Sequence, residues 1–450
     1  MGILTLFAVL RLTAAAGPLT LDDALALAAK RNAELGIARA DQDAAAVDAR
    51  ESYKGVLPRL DLNGAFGSEF QGAQQLVQVV PNSTPPPDFV RIPVTIPAND
   101  NGVYQLGLAL NWTLFDGLSS WDFIASSRTR AAAADRQYDE SALVVAFEVT
   151  RRFYEVVKQQ RALDVLRETA AVSAELVKRA DALFAAARGT KLDTYTARVN
   201  HGNDVIAVRS QTAVLARARA DLASVLGLTS EEGLEVAPPA PVAAPGKSPA
   251  KELPPLPALL ASARKGRPLI SARKLSGEAA DRDISRARGA YWPVVGLQAT
   301  YQKGGPDLTG SNGLFSDPSD QYVATIQATL AFNLFAGGET RAGVERAEVQ
   351  ARRTRALLEQ GEQTVAAEVT FARAQVEALS DSVATAQENL DSAEKGLRFA
   401  RERLDAGVGS QLEVRDATLK LSEAKLTAFN TVVDLVVARA DLNRGVGGSL

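Results

Sequence analysis

The chain has 450 residues, 23% of them charged, and a net charge of −3 at pH 7. Cysteine is absent and histidine occurs once, which excludes thiol catalysis, cysteine-ligated metals and lipidation of an N-terminal cysteine, and leaves little acid–base chemistry near neutral pH. The charge balance also excludes a basic surface for nucleic acid. Because the sequence holds no nucleophile–base, metal or cofactor constellation, we predict no enzymatic activity, no catalytic residues, no metal site and no cofactor.

The first 16 residues are typical of a secretory signal peptide. An apolar run from Ile3 to Leu10 is followed by an Ala-x-Ala cleavage pattern at residues 14–16. No Lys or Arg precedes the apolar run, and Arg11 interrupts its end, so a buried or disordered N-terminal segment is the alternative. After residue 16 no segment approaches the ~20 apolar residues that a membrane-spanning helix requires.

Alternating apolar and polar residues predict β-strands in both halves of the chain. Apolar residues occupy every second position in residues 104–114 and again in residues 322–334, so each strand would have one apolar and one polar face. Shorter alternating runs begin after Pro58 and Pro293, which gives four strands in all. Strands of this length and pattern are typical of a membrane β-barrel, although a half-buried sheet in a soluble protein shows the same pattern.

Long helices follow the strands. Residues 118–188 contain no glycine and no proline, and a helix of that extent measures on the order of 100 Å, too long for an ordinary globular domain of this size. Apolar residues recur there and in the second half with alternating spacings of three and four, a heptad seam for packing against a neighbouring helix. The seam residues are Leu163, Leu166, Ala170, Ser173, Val177, Ala180 and Phe184, and then Leu379, Val383, Ala386, Leu390, Ala393, Leu397, Ala400 and Leu404.

Each long helix ends at a turn of small residues. These turns lie at residues 188–190 and 407–410, and a second helix then runs back to about residues 226 and 444 respectively. Each half therefore ends in a long antiparallel helical hairpin.

The two halves are copies of one unit. At a constant offset of 220 residues, Leu110–Gly117 matches Leu330–Gly337, and Arg219–Leu222 matches Arg439–Leu442. Towards the N-terminus the offset becomes 235, because residues 71–102 carry a Pro-, Gln- and Asn-rich insertion that we interpret as an exposed loop. A constant offset over more than a hundred residues indicates an internal duplication.

The duplication predicts the domain organisation. Residues 17–235 form the first repeat and residues 258–450 the second, each with a helix, a β-hairpin and a long helical hairpin. The Pro- and Ala-rich residues 236–257 join the repeats as a linker.

On these features the chain resembles the TolC family of outer-membrane efflux proteins, the outer membrane factors. The resemblance covers nearly the whole chain and rests on the order, spacing and repetition of motifs that are weak one by one. These motifs are the duplication, the opening segment Leu19–Ala28, the strand entry Leu57-Pro58-x-Leu60-x-Leu62 and the strand exit Trp112-x-Leu114-Phe115-x-Gly117.

The resemblance implies a mixed α and β membrane protein. Four transmembrane β-strands per chain would contribute to a trimeric 12-stranded β-barrel in the cell outer membrane, continued by a long α-helical barrel in the periplasm. The implied partners are two further copies of the chain, a periplasmic adaptor (membrane fusion) protein, an inner-membrane pump and outer-membrane lipid. The implied function is a passive export duct of a tripartite efflux or type I secretion system.

A second class of protein is compatible with the heptads. A periplasmic coiled-coil adaptor or scaffold would explain the long helices, but it would not explain four amphipathic strands in two matched pairs. An enzyme is the third and weakest hypothesis.

The resemblance also implies where the functional residues lie. In the family, acidic side chains narrow the periplasmic mouth, and the matching acids here are Glu413 and Asp416, which a spacing of three places on one helix face. Asp193 is their first-half counterpart and is implied to join inter-helix bonds that hold the mouth shut. Three copies of Glu413 and Asp416 would form stacked acidic rings that attract cations; the alternative is solvated acids that the helix dipole favours.

The helical turns are the implied contact with the adaptor. The matching residues are Gly189, Thr190, Leu192, Gly409, Ser410 and Leu412. Family members often carry a tyrosine and an arginine in the second hairpin that link neighbouring helices, and this chain has Leu404 and Gly409 there. We therefore expect its gate to rest on other contacts.

Overall fold

A computed structural model describes residues 18–81, 89–229, 234–237, 253–317 and 322–448. The signal peptide predicted for residues 1–16 and most of the linker predicted for residues 236–257 lie outside the described residues.

The described elements come in the same order in the two halves, apart from one additional β-hairpin. The first half contains α1 (Leu21–Arg31), α2 (Ala33–Glu51), β1 (Arg59–Gln71), β2 (Gln74–Pro81), β3 (Phe89–Ile96), β4 (Asn99–Phe115), α3 (Ser119–Ala185) and α4 (Lys191–Val225). The second half contains α5 (Leu256–Gly266), α6 (Pro268–Arg288), β5 (Val294–Gly305), β6 (Tyr322–Ala331), α7 (Glu339–Asp405) and α8 (Gln411–Gly445). Both long helices have 67 residues and both returning helices have 35, at the 220-residue offset seen in the sequence.

The chain divides into two compact units. One unit contains the described residues of 46–130 and 277–353, with the described strands. The other contains the described residues of 1–45, 131–276 and 354–450, with most of the length of the long helices. Among the described residues, no helix is long and apolar enough to cross a membrane.

The unit with the strands holds a four-stranded antiparallel sheet in the order β1-β4-β5-β6. These strands lie at the four predicted positions, with Leu62 opposite Leu108 and Trp112 opposite Leu297. The second-half strand ends at Ala331, not at the predicted residue 334, because alternation continues past the last residue that has a partner in β5. Strands β1 and β6 form the sheet edges within the described chain, and many of the sheet's large apolar side chains are exposed.

The interpretation of residues 71–102 as a loop was wrong. Strands β2 and β3 pair antiparallel in this segment, with Leu76 opposite Val94 and Val80 opposite Val90. Composition misled because the Pro and Gln residues flank runs of β-branched residues, and such residues favour extended chains once a cross-strand partner is available. Residues 82–88, which include the three consecutive prolines, lie outside the described residues.

The helical unit has a core beside each hairpin. Val149 and Leu222 are fully buried in the first core, and the equivalent Val369 and Leu442 are buried in the second. Most predicted heptad residues are buried or half-buried, as the seam requires, and Phe184 at the end of α3 is the exposed exception. The heptad pattern therefore locates the packing face of both long helices.

A buried ion pair fixes the start of α6 against α3. The side chain of Arg267 is 2% exposed and that of Glu140 is 7% exposed. The Arg267 guanidinium donates to both Glu140 carboxylate oxygens at 2.6–3.0 Å and to the backbone carbonyl of Arg444 at 2.9 Å. Arg444 itself pairs with Glu368 at 3.2 Å. Four charged side chains from separate elements thus meet where the helical hairpins begin.

Candidate functional site

The two helical turns have closely similar geometry. Helix α3 ends at Ala185, three residues earlier than predicted, because Ala187 takes a left-handed backbone conformation (φ +56°). Gly407 takes that conformation at the equivalent place after α7 (φ +75°). A left-handed residue satisfies free carbonyls at a helix end and is usually glycine, so Gly189 misled the sequence-based prediction of where the first helix stops.

A side-chain cap begins each returning helix. The Thr190 hydroxyl accepts the backbone N–H of Asp193, and the Asp193 carboxylate accepts the Thr190 hydroxyl and N–H, at 2.7–3.1 Å. These bonds, first from the Thr190 side chain and then from its backbone, lower the pKa of Asp193. In the second turn Ser410 accepts the N–H of Glu413 at 3.2 Å. Asp193 is thus a capping residue within its own chain, and its part in closing the mouth stays a prediction.

The two acids predicted to form rings are exposed, and each has a basic partner in the same chain. Arg403 donates to the Glu413 carboxylate at 3.3 Å, and Lys420 lies 2.7 Å from the Asp416 carboxylate. The hydrogen bond to Asp416, and secondarily its charge, raise the pKa of Lys420. These partners reduce the local negative charge without removing either acid from solvent.

Exposed leucines mark the first turn of both returning helices. Leu192 and Leu412 occupy equivalent positions, and neither side chain is covered within the chain. A small cleft of about 80 Å³ brings Asp193, Leu412 and Arg415 together with Asn200. The structure therefore places the predicted turn residues of both halves at one end of the helical unit.

Sequence reasoning missed the contacts that join the two hairpins there. The Arg415 guanidinium binds Asp204 through two hydrogen bonds of 2.5 and 2.7 Å, and the two side chains are only 13% and 10% exposed. Arg179 of α3 binds the carboxylate of Asp405 and the carbonyl of Leu404 in α7. No local pattern signals pairs that are more than 200 residues apart, although Arg415 stands out as a base between the acids Glu413 and Asp416.

Within the described residues, no cluster of three or more His, Cys, Asp or Glu side chains is arranged to hold a metal ion.

Comparisons with known proteins agree on one family. The chain matches the family described as outer membrane efflux protein over residues 24–228 and 259–448. It is 25% identical to the outer membrane efflux protein BepC of Brucella suis over 344 residues, which cover 76% of this chain and 72% of BepC. It is 21% identical to the outer membrane protein TolC of Vibrio cholerae over 333 residues, 73% of each chain. The solved CmeC outer membrane channel of Campylobacter jejuni has a similar fold, with a TM-score of 0.78 at 16% identity over 95% of this chain and 85% of CmeC.

Proposed function

The chain belongs to the outer membrane efflux protein family, and we propose that three copies of it form a passive export duct across the outer membrane and the periplasm. As a member of this family it is an outer-membrane efflux channel and not an enzyme. In the proposal the four-stranded sheets of three chains close one 12-stranded barrel in the membrane. The helical hairpins form a periplasmic barrel whose mouth lies at the helical turns, and the two halves of the chain descend from one duplicated unit.

The observation that carries the proposal is the four-stranded sheet with two open edges. Strands β1 and β6 end the sheet in the described chain, and apolar side chains such as Leu62, Ile326 and Leu330 are exposed on it. In lipid every backbone N–H and C=O needs a partner, so a sheet with free edges must close with further sheets. Joining β6 of one copy to β1 of the next satisfies both edges.

The helical turns support gating and docking at the periplasmic mouth of the proposed duct. Exposed Glu413 and Asp416 would repeat around the three-fold axis as acidic rings that select for cations or bind blocking metal ions. The exposed Leu192 and Leu412, with Gly189, Thr190, Gly409 and Ser410, offer the helical turns of a periplasmic adaptor an apolar contact. The proposed system is a tripartite efflux or type I secretion complex with an inner-membrane pump that supplies the work.

The alternative of a periplasmic coiled-coil adaptor is not favoured. The family match covers the strands as well as the helices of both halves, whereas the heptads were the only feature that an adaptor explained.

Two measurements test the proposal. The detergent-corrected mass of the extracted protein should correspond to three copies of the 47.6 kDa chain, and the protein should conduct ions in a planar bilayer. A monomer that does not conduct would refute the duct.

The acidic rings have a separate test. We expect Glu413→Ala with Asp416→Ala to raise the conductance or to abolish block by multivalent cations. The control is Asp391→Ala with Glu394→Ala, which removes two exposed acids of the same spacing from α7, away from the turns. Unchanged conductance and block in the first variant would refute the rings and leave the duct in place.

A further inference from the structure

Two clefts in the helical unit are built from equivalent residues. The first, of about 310 Å³, is lined on α3 and α4 by Arg151, Arg152, Glu155, Gln159, Val214, Arg217, Ala218 and Asp221. The second, of about 250 Å³, is lined on α7 and α8 by Gln375, Leu379, Asp434, Val437, Ala438 and Asp441. Each residue of the second list lies 220 positions after its counterpart in the first. The duplication has therefore produced the same groove twice.

Only the second groove is closed from the opposite side within the chain. There, Phe147 and Arg151 of α3 complete the lining. Their counterparts on α7 are Ala367 and Phe371, but neither of these lines the first groove, and the Phe371 side chain is 66% exposed. The first groove thus lacks the helix that its duplicate has, and the matching helix face of α7 is uncovered.

The in-chain seam beside the second groove combines apolar packing with polar contacts. Helix α3 meets α8 through Lys158 and Asp434 at 3.1 Å and through the hydroxyls of Thr169 and Ser422 at 2.7 Å. It meets the end of α7 through Arg179 and Asp405 at 2.7 Å. These contacts show which positions of a long helix face which positions of the other half's hairpin.

At the positions equivalent to the two ion pairs, both partners lose their charge together. Lys158 and Asp434 become Ala378 and Val214, and Arg179 and Asp405 become Phe399 and Ala185. Thr169 and Ser422 become Asn389 and Gly202. All six residues are exposed in the single chain. Solvated positions have no reason to change in matched pairs, whereas positions in contact do, because a charge opposite an apolar residue is unfavourable.

One further pair changes on one side only. Glu168 and Lys425, 2.6 Å apart, correspond to Glu388 and Val205. Glu168 is half-exposed where it pairs, so a carboxylate at the equivalent rim position keeps its access to water.

We propose that the groove on α3 and α4 binds helix α7 of a second copy of this chain, with Phe371 of that copy in the groove and Phe399 of that copy over Ala185. This inference rests on the assembly of copies in the proposed function and adds its contact surface and chemistry. At the positions equivalent to Lys158 with Asp434 and Arg179 with Asp405, this interface pairs apolar residues, whereas the seam inside each chain pairs charges there. Salt screens ion pairs and leaves apolar contacts intact, so a charge pair introduced at these apolar positions should make the contact sensitive to salt.

A cysteine pair tests the placement directly, since the chain has no cysteine of its own. The Thr169 and Ser422 hydroxyls are close enough that cysteines at these positions come within disulfide reach. We expect Gly202→Cys with Asn389→Cys to link separate copies under mild oxidation of the extracted protein, giving dimer and trimer bands on a non-reducing gel. Open space surrounds Gly202, so the new side chain fits. The matched control, Thr169→Cys with Ser422→Cys, should link within the chain and run as a monomer.

The outcomes separate this inference from the duct itself. A trimeric mass with the 169–422 link but without the 202–389 link would overturn the interface and leave the duct standing. A monomeric mass would overturn both. If the 169–422 link does not form, the contact inside the chain from which the interface is inferred is absent, and the interface is overturned as well.

A charge exchange tests the chemistry of the groove. Phe371→Arg alone should shift the detergent-extracted protein towards the monomer, because it places a charge against Val214. Adding Val214→Asp recreates between copies the Arg151 and Asp434 arrangement of the second groove, and should restore the trimer at low salt but not at high salt. Phe371→Leu is the control that keeps an apolar side chain and should remain trimeric. Equal trimer content in all three variants would refute the placement of Phe371.

Discussion

Two clusters of charged side chains among the described residues of the helical unit differ in depth. Where the hairpins begin, Arg267 and Glu140 are almost completely buried and hydrogen-bonded to each other. At the turns, Glu413 and Asp416 remain largely exposed although each has a basic partner. A buried charge is tolerated only with its partner and therefore serves structure, whereas an exposed acid contributes little to stability and stays available for the ring role that we propose.

The proposed duplication sharpens this contrast. The first-half counterpart of Arg267 is Asn32, whose amide donates to the Val225 carbonyl at 2.7 Å as Arg267 donates to that of Arg444. Both residues hold the end of a returning helix. Only Arg267 also carries a charge into the interior, and that charge is matched by Glu140 of the first half.

The largest expected effect comes from breaking the buried pair. Arg267→Leu leaves Glu140 buried without its partner, so we expect the free energy of unfolding to fall by about 3–5 kcal/mol. Denaturant titration followed by helical circular dichroism measures this loss. Arg267→Leu with Glu140→Leu should recover much of it, because an apolar pair can replace a buried ion pair. A double variant no more stable than the single one would contradict this account.

Breaking the ion pair between the hairpins should cause the second-largest loss of stability. Arg415→Ala leaves the buried Asp204 without its two charged hydrogen bonds, and we expect a loss of about 2–3 kcal/mol in the same titration. The neighbouring Asp416→Ala is the control and should leave the unfolding midpoint unchanged, since Asp416 and its partner are exposed. Equal losses of stability from the two substitutions would show that burial does not distinguish structural charges from exposed ones here.

Removing the side-chain cap at the first turn should cause the third-largest loss of stability. Thr190→Ala removes the hydroxyl that bonds with Asp193 and should cost about 1 kcal/mol at neutral pH. Thr212→Ala, in the middle of the same helix, is the control.

The cap also predicts a pH dependence. Because the folded-state pKa of Asp193 is lowered, its contribution is complete above its ordinary pKa and is lost as the pH falls through the lowered value. The stability difference between the natural chain and the Thr190→Ala variant should therefore shrink in acid. A difference that grows in acid would contradict the reciprocal cap.

The smallest expected effect is a gain. Ala187 carries the left-handed conformation that Gly407 carries in the second turn, and a left-handed non-glycine residue is strained by roughly 1 kcal/mol. Ala187→Gly should raise the stability by at most that amount, since glycine also gains freedom in the unfolded chain. Ala186→Gly, one residue earlier at the helix end, should not stabilise, and a loss in Ala187→Gly would show that the turn is not strained.

The sequence by itself determined the long helices, their packing faces, both turns and the position of four strands. Each of these is a local periodicity: a heptad seam such as Leu379–Leu404, or the alternation in residues 104–114, is a property of consecutive residues that holds whatever lies opposite. Two errors fell at element ends, at Ala185 and Ala331, where the local pattern continued but the hydrogen-bonded partner did not.

Tertiary structure alone decided which residues meet across the halves. Arg267 and Glu140 are 127 positions apart and Asp204 and Arg415 are 211 apart, and no spacing in the sequence indicates either pair. The pairing of β2 with β3 was hidden for the same reason, because an extended segment with Pro and Gln forms a strand only when its partner is in register. Ion pairs and strand pairs depend on the relative position of two elements, and that position is set by the packing of the whole unit.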